Sequence, residues 1–185
     1  MIDENLLWLL SSYRTSEISG ALFFGQLARR LKPGAIQMDM TAHFADEAQH
    51  ARYWTDCIAE LGAQPLKLDA SYQDKYLAAA GLPANLMEIL AITQVFEKRV
   101  IRQYASHVSV PGLLPEIART FDRILQDEKW HVRWVGDALQ SLAADYGADE
   151  IARTLDRYRE ADEAVYRATL EEHQQRLAAL DWTRR

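Results

Sequence analysis

The sequence predicts an all-α protein built around a bundle of four long helices. Two observations lead to this fold class. Apolar residues recur at every third or fourth position over long stretches, whereas the strict alternation that is typical of strands persists nowhere. Segments that contain Pro and Gly divide these stretches into a few long blocks. The 185 residues suffice for one domain with a substantial core.

The first half of the chain predicts a helical hairpin. The first helix is expected over residues 3–32, with Asp3 as its N-cap, and it ends at Lys32-Pro33-Gly34, where Pro and Gly break the periodicity. The second helix is expected over residues 35–61. Residues 62–83 are too many for a tight turn, so they predict a long crossover along the bundle, with a short helical piece in the run YLAAA.

The second half predicts another hairpin and one further helix. The third and fourth helices are expected over residues 84–108 and 115–146, and a strongly charged fifth helix over residues 148–181. We therefore expect residues 1–146 to form the bundle. Residues 147–185 would form an additional C-terminal helix, packed on the bundle or in an oligomer contact.

Charge and composition restrict the function classes. The net charge of −6 and the pI near 5.4 provide no positive field for nucleic acid, so a nucleic-acid partner is not expected. The single cysteine, Cys57, excludes a disulfide within the chain and a metal site with four cysteines. The N-terminal stretch is unlike a secretory signal, and no segment approaches the length of an apolar membrane span. These features predict a soluble cytoplasmic protein without a membrane partner.

One short motif occurs twice. The sequence of residues 127–131 is Asp-Glu-Lys-Trp-His, and that of residues 46–50 is Asp-Glu-Ala-Gln-His. Three residues are nearly one helical turn, so Glu and His project from the same face and can bind one transition metal such as iron, manganese or zinc. Chance gives only about 0.35 Glu-x-x-His pairs in a chain of this composition. Two copies, each preceded by Asp, therefore indicate a metal site.

Two further glutamates complete the pattern. Glu17 lies 30 residues before Glu47, and Glu97 lies 31 residues before Glu128. Both lie within the apolar stripes of their helices, where an ionised carboxylate is costly unless it is paired or bound to a metal. Four carboxylates would balance the charge of two divalent ions. The candidate ligands are Glu17, Glu47, His50, Glu97, Glu128 and His131.

A lone Glu on each of two helices, with Glu-x-x-His on each of the other two, resembles the ferritin-like di-metal carboxylate superfamily over residues 3–146. The resemblance implies that each lone Glu binds one metal, that the two motif Glu bridge the metals, and that each His binds one of them. It implies two iron ions most often, although a di-manganese or a mixed pair is compatible with the same ligands. It also implies that Asp46 and Asp127 each hold the histidine of the opposite hairpin.

Other polar side chains on these helices receive interpretations as well. His43 lies one turn before the first motif, where an additional ligand or a proton relay is conceivable and a hydrogen-bonded interior histidine is favoured. Tyr13 and Tyr104 point along the axis of the site and could gate access or carry a radical, although a role as core aromatics suffices. His107 and His173 are expected at the surface.

The superfamily contains several functional classes. Rubrerythrin-like peroxidases often carry a further Glu three residues before the terminal ligand of the third helix, where this chain has Gln94. They also often carry a rubredoxin-type domain with four cysteines, so electrons here would come from a separate donor. Both departures argue against a standard rubrerythrin. The long, charged fifth helix argues against the closed shell of a storage ferritin.

The sequence therefore predicts a diiron oxidoreductase, an oxidase or oxygenase that activates O2 or peroxide and acts on an unknown small substrate. The alternatives are a ferroxidase or iron-handling protein and a rubrerythrin-like peroxidase without a rubredoxin domain. A metal-free helical scaffold is disfavoured because all six candidate ligands are present. The expected assembly is a homodimer that forms through the outer faces of the bundle or through the fifth helix.

Overall fold

A computed structural model describes residues 2–110 and 112–179 of the chain, and the fold in this part is all-α, which confirms the predicted class. The helices are α1 (Glu4–Arg30), α2 (Ala35–Glu60), α3 (Tyr72–Ala80), α4 (Leu86–Val108), α5 (Pro115–Ser141), α6 (Ala143–Tyr146) and α7 (Ala148–Ala178). The last two residues predicted for the fifth helix lie outside the described ranges.

Local sequence signals fix where the helices begin. The Asp3 carboxylate accepts the backbone N–H groups of Asn5 at 2.8 Å and Leu6 at 3.3 Å, so it caps α1 as predicted. Asn85 caps α4 in the same way by accepting the N–H of Glu88 at 3.0 Å. Pro115 begins α5, where its missing N–H costs nothing.

The prediction of one continuous helix over residues 115–146 is wrong. Helix α5 ends at Ser141, and the short α6 follows after Leu142. The backbone N–H of Leu142 lies 3.2 Å from the carbonyls of both Ala138 and Leu139, which tightens the last turn and ends the regular α-helical pattern.

The four long helices form two antiparallel hairpins. Helix α1 packs against α2, α4 against α5, and α2 against α5. The crossover that joins the hairpins contains the predicted short helix, α3, whose Ser71 and Asp74 form a capping box. Because the crossover traverses the length of the bundle, α2 and α4 run in the same direction.

Helix α7 packs on α4 and α3 and also contacts α1. Asp162 is 2 % exposed and accepts from Arg99 Nε of α4 at 2.7 Å and from the Tyr72 hydroxyl of α3 at 2.5 Å. The Tyr76 hydroxyl donates to the Tyr158 carbonyl of α7 at 3.1 Å. Helix α7 and the crossover therefore lie on the same side of the bundle.

The prediction that His107 and His173 lie at the surface is wrong. The two imidazoles are 6 % and 5 % exposed, because α7 packs against the outer face of α4. His107 Nδ1 is paired with the Tyr13 hydroxyl, and His173 Nδ1 lies 3.1 Å from Gln103 Nε2. Burial lowers the pKa of each imidazole to about 4. The imidazole of His173 adds to the shift at His107, and nearby cationic side chains add to the shift at His173.

Two apolar clusters divide the core along the bundle axis. One contains Phe24, Met40, Leu90 and Val135, and the other contains Leu10, Trp54, Phe121 and Ile124. On each long helix the candidate ligands lie between residues of the first cluster and residues of the second. The candidate site is therefore a polar layer between two apolar layers. Within the described residues, no helix has the length and apolar character needed to cross a bilayer.

Candidate metal centre

All six predicted ligands lie in one buried layer at the middle of the bundle. Each comes from the interior of a long helix, and none is more than 4 % exposed. Helices α1 and α4 contribute one Glu each, and α2 and α5 contribute a Glu and a His each. The helices therefore bring together in one layer side chains that lie as many as 114 residues apart in the sequence.

The donor atoms form two groups in which all members lie within 4.8 Å of one another. One group contains Glu17, Glu47, His50 and Glu128, and the other contains His43, Glu47, Glu97 and His131. Glu47 belongs to both groups. The two groups could each hold a metal ion, and they have one carboxylate in common.

Glu128 also lies between the two halves. Its Oε1 is 3.4 Å from His50 Nδ1, and its Oε2 is 3.3 Å from His131 Nδ1. Each carboxylate oxygen thus faces a different imidazole, and both imidazoles direct Nδ1 toward the interior of the layer. This geometry suits a carboxylate that bridges two ions.

The outer nitrogens of the two imidazoles face carboxylates of the opposite hairpin. His50 Nε2 lies 3.2 Å from Asp127 Oδ2, and His131 Nε2 lies 3.3 Å from Asp46 Oδ2. Such contacts orient a ring and leave its other nitrogen available to a metal. The two aspartates are partly exposed, so they form the rim of the layer.

The two tyrosines have different partners. The Tyr104 hydroxyl donates to Glu17 Oε1, whereas the Tyr13 hydroxyl is paired with His107. Their rings pack edge to face with centroids 5.2 Å apart. Burial, as the largest cause, and the charge of Glu17, as the second, raise the pKa of Tyr104 well above its ordinary value. This hydroxyl therefore stays protonated and acts as a hydrogen-bond donor.

His43 and Gln94 differ in their relation to the layer. His43 is fully buried, with Nε2 3.3 Å from both Glu47 Oε1 and Glu97 Oε1. Gln94 is buried as well, and its Oε1 lies beside Gly136. Its neutral amide adds no negative charge to the layer.

Two residues near the ligands escaped sequence reasoning. A Cβ at Gly20 would collide with Glu47 Oε2, so any larger residue there requires this carboxylate to move. A glycine inside a long helix is unfavourable by itself, which is the signal that could have identified it. Trp134 donates from Nε1 to His43 Nδ1 at 3.2 Å, and no sequence signal links these residues, which are 91 positions apart.

The carboxylates of the layer repel each other when they are ionised. Burial, together with neighbouring carboxylates, raises the pKa of Glu47 and of Glu97 well above the ordinary value. Burial opposes the charged form of His50, but bonds and charges from Glu17, Glu128 and Asp127 outweigh it and raise the pKa of His50 to about 9. Protons therefore occupy this layer unless cations replace them.

The unsatisfied polar atoms of the layer test whether it fits cations. Within the described part of the chain, four buried atoms of the six predicted ligands lack a hydrogen-bond partner, namely Glu47 Oε2, His50 Nδ1, Glu97 Oε1 and Glu97 Oε2. Such orphaned groups are rare in folded proteins unless an ion or water satisfies them. Carboxylate and imidazole donors suit divalent first-row metals, so the residues fit a metal pair.

A cavity of about 330 Å³ with a mixed polar and apolar lining approaches the layer from the side of α7 and the crossover. Its inner wall includes Tyr13 and Tyr104, and Tyr104 separates it from Glu17. A smaller, mainly apolar cavity of about 70 Å³ lies over Gly20, between α1, α3 and α4. Both cavities are lined by residues of α1, α3 and α4.

Comparison with known proteins gives one match. The family model described as Rubrerythrin matches residues 9–139, which include all six candidate ligands and most of the four long helices. No curated protein and no solved structure matches the chain. This family implies a di-metal site, typically of iron, and the buried carboxylate and imidazole groups are suited to one. The chain therefore belongs to the rubrerythrin family, within the ferritin-like di-metal superfamily.

Proposed function

We propose that the protein is a diiron oxidoreductase that uses O2 or peroxide as oxidant and acts on a small substrate. The observation that carries the proposal is the convergence of four Glu and two His from four helices in one buried layer. These residues would hold an iron pair, which in its reduced form would supply electrons to O2 or peroxide. Manganese would satisfy the same donors, so the identity of the metal is part of the proposal.

Each ligand has a role in this proposal. Glu17 and His50 would hold one ion, and Glu97 and His131 would hold the other. Glu47 and Glu128 would contribute to both positions, which is supported by the membership of Glu47 in both donor groups and by the position of Glu128 between the two imidazoles.

The rest of the chain orients the ligands and limits access of water. Asp46 and Asp127 hold the imidazoles with Nδ1 directed inward. The Tyr104 hydroxyl holds one oxygen of Glu17 and leaves the other available. The apolar clusters on both sides of the layer exclude water, which strengthens each electrostatic interaction inside.

The cavity of about 330 Å³ beside Tyr104 supports the choice of an oxidoreductase with a small substrate over an iron-handling protein. A peroxidase is the second candidate, because the rubrerythrin family match favours peroxide as the oxidant. In both cases electrons come from a separate donor. The assembly of the protein and its location in the cell stay predictions.

The test is anaerobic loading of metal-free protein with Fe(II), followed by exposure to O2 or to H2O2. We expect uptake of about two ions per chain and oxidation of both ions in one turnover. Absorption spectroscopy and an oxygen electrode measure this oxidation. The ratio of the two oxidation rates separates an oxidase or oxygenase from a peroxidase. Absence of Fe(II) uptake would contradict the proposal.

Glu128→Ala tests the bridging assignment. Removing a carboxylate that contacts both halves should abolish stable binding of both ions. Asp137→Ala is the matched control, since Asp137 is an acidic residue of the same helix that lies outside the buried layer. Uptake of two ions by Glu128→Ala with the affinity of the unmodified protein would show that Glu128 does not bridge.

A further inference from the structure

His43 is close enough to the proposed metal pair to be a third histidine ligand. It lies on α2 one turn before Glu47, it is fully buried, and its Nε2 is 3.3 Å from an oxygen of Glu47 and 3.3 Å from an oxygen of Glu97. Its donor atom also belongs to one of the two groups that could hold an ion. Distance alone therefore does not distinguish a ligand from a hydrogen-bond donor.

The hydrogen bond from Trp134 shows whether His43 can be a metal ligand or acts as a hydrogen-bond donor. Its indole Nε1–H donates to His43 Nδ1 at 3.2 Å, and an indole N–H can only donate. His43 Nδ1 therefore carries a lone pair, and the proton of the neutral ring lies on Nε2. A nitrogen that carries a proton cannot bind a metal, because ligation requires its lone pair.

The packing and the bond from Trp134 together fix the imidazole. The ring stacks on His131 with centroids 3.7 Å apart, and the centroid of the Phe24 ring lies 3.9 Å away, which fixes the plane of the ring. A half-turn about Cβ–Cγ would keep these stacks but would break the bond from Trp134. This bond therefore keeps Nε2 beside the carboxylates of Glu47 and Glu97.

We propose that His43 is a positioning residue that shares one N–H between Glu47 and Glu97, with its tautomer set by Trp134, and that it is not a third histidine ligand. The two equal distances place Nε2 between the two oxygens, and neither contact by itself has the geometry of a hydrogen bond. This inference rests on the proposed di-metal function of the layer.

One consequence is that the two halves of the site are not equivalent. The residue of α5 that corresponds to His43, one turn before Glu128, is Ile124, which is fully buried and apolar. Glu17 instead receives its hydrogen bond from the Tyr104 hydroxyl. Each terminal carboxylate thus faces a different neutral group, the imidazole of His43 for Glu97 and the phenol of Tyr104 for Glu17, and the two ions should differ in affinity.

The direct test is the tautomer of His43, measured by NMR on protein with ¹⁵N-labelled histidine, both without metal and loaded with Zn(II). His43→Gln identifies the signals of this ring. We expect Nε2 to carry the proton and Nδ1 to be unprotonated in both samples. A Zn-bound Nε2 with a proton on Nδ1 would overturn the inference, as would a proton on Nδ1 in the metal-free protein.

Trp134→Phe tests what sets the tautomer. Loss of the indole N–H should produce a mixture of tautomers at His43, a signal that a purely structural role of Trp134 would leave unchanged. An unchanged Nε2–H tautomer in this variant would contradict the role of Trp134. If the unmodified protein binds no Zn(II), the di-metal proposal fails, and the metal-free spectrum still decides the tautomer.

Affinity provides a second measurement. His43→Leu should still bind two Co(II) ions, but the affinity for one of them should fall by about 10- to 100-fold, as is usual when a hydrogen bond to a ligand is lost. Ile124→Val is the matched control at the corresponding position and should leave both affinities unchanged. Equal losses at both ions in His43→Leu would contradict the proposed asymmetry.

Discussion

Gly20→Ala is the substitution for which the structure gives the sharpest expectation. In the interior of a long helix, this change usually stabilises a protein by about 1 kcal/mol. At Gly20, however, the new methyl group would occupy the place of Glu47 Oε2, so the Glu47 carboxylate must turn away. Because Glu47 belongs to both donor groups, its displacement should weaken both metal positions.

The magnitude follows from two opposing contributions. Crowding in a packed core costs about 1–3 kcal/mol, so most or all of the gain in helix propensity should disappear in the metal-free protein. Disturbing a group that merely orients a ligand lowers metal affinity by about 10- to 100-fold. Displacement of the ligand Glu47 itself should lower the affinity by no less than this. The loss of loading should therefore be much clearer than any loss of stability.

Gly136→Ala is the matched control. Gly136 is also a helical glycine, but a methyl group added there would lie 3.6 Å from its nearest neighbour, Gln94 Oε1, which is an ordinary contact distance. This variant should load two metals per chain, and its melting temperature should rise by about 2–4 °C. The assay is Fe(II) or Co(II) bound per chain after desalting, with thermal unfolding of the metal-free proteins. Loading of Gly20→Ala with unchanged affinity would refute the reasoning.

Two further predictions concern pH and helix α7. The pKa of His50 is about 9 in the folded chain against an ordinary value of 6.5, so its contribution to the stability of the metal-free protein is complete below pH 6.5 and is lost as the pH rises to 9. Because a metal must displace this proton, metal affinity should rise over the same pH range. The difference in melting temperature between loaded and metal-free protein should therefore widen as the pH rises. A difference that stays constant would contradict this prediction. Asp162→Ala removes the buried partner of Arg99, so it should cost roughly 3 kcal/mol of unfolding free energy in denaturant titrations. Asp156→Ala, in an exposed ion pair of the same helix, should have little effect, and equal losses in the two variants would argue against the docking of α7 on α4.

The helices and the layer of ligands could be predicted from sequence because their signals are local. The spacing of Glu47 and His50 places both on one helical face whatever the rest of the chain does. Pro and Gly at positions such as Pro33 and Gly34 interrupt the periodicity and divide the helices. The family match over residues 9–139 agrees with this interpretation at the level of fold.

Features that depend on contacts between distant segments could not be predicted. The burial of His107 and His173 depends on how α7 packs on α4, and the sequence of α7 is too charged to indicate which of its faces is covered. The tautomer of His43 depends on Trp134, 91 residues away. The cavity beside Tyr104 is lined by residues of α1, the crossover, α4 and α7, so no single helix encodes it.

The metal content of the protein tests the central claim most directly. Elemental analysis of protein purified without added metal, together with its absorption spectrum, should give close to two iron or manganese atoms per chain. A near-ultraviolet absorption band would favour an oxidised iron pair. Much more iron than two atoms per chain would indicate storage instead. No metal, even after anaerobic addition of Fe(II), would show that the buried layer is a polar network rather than a metal site.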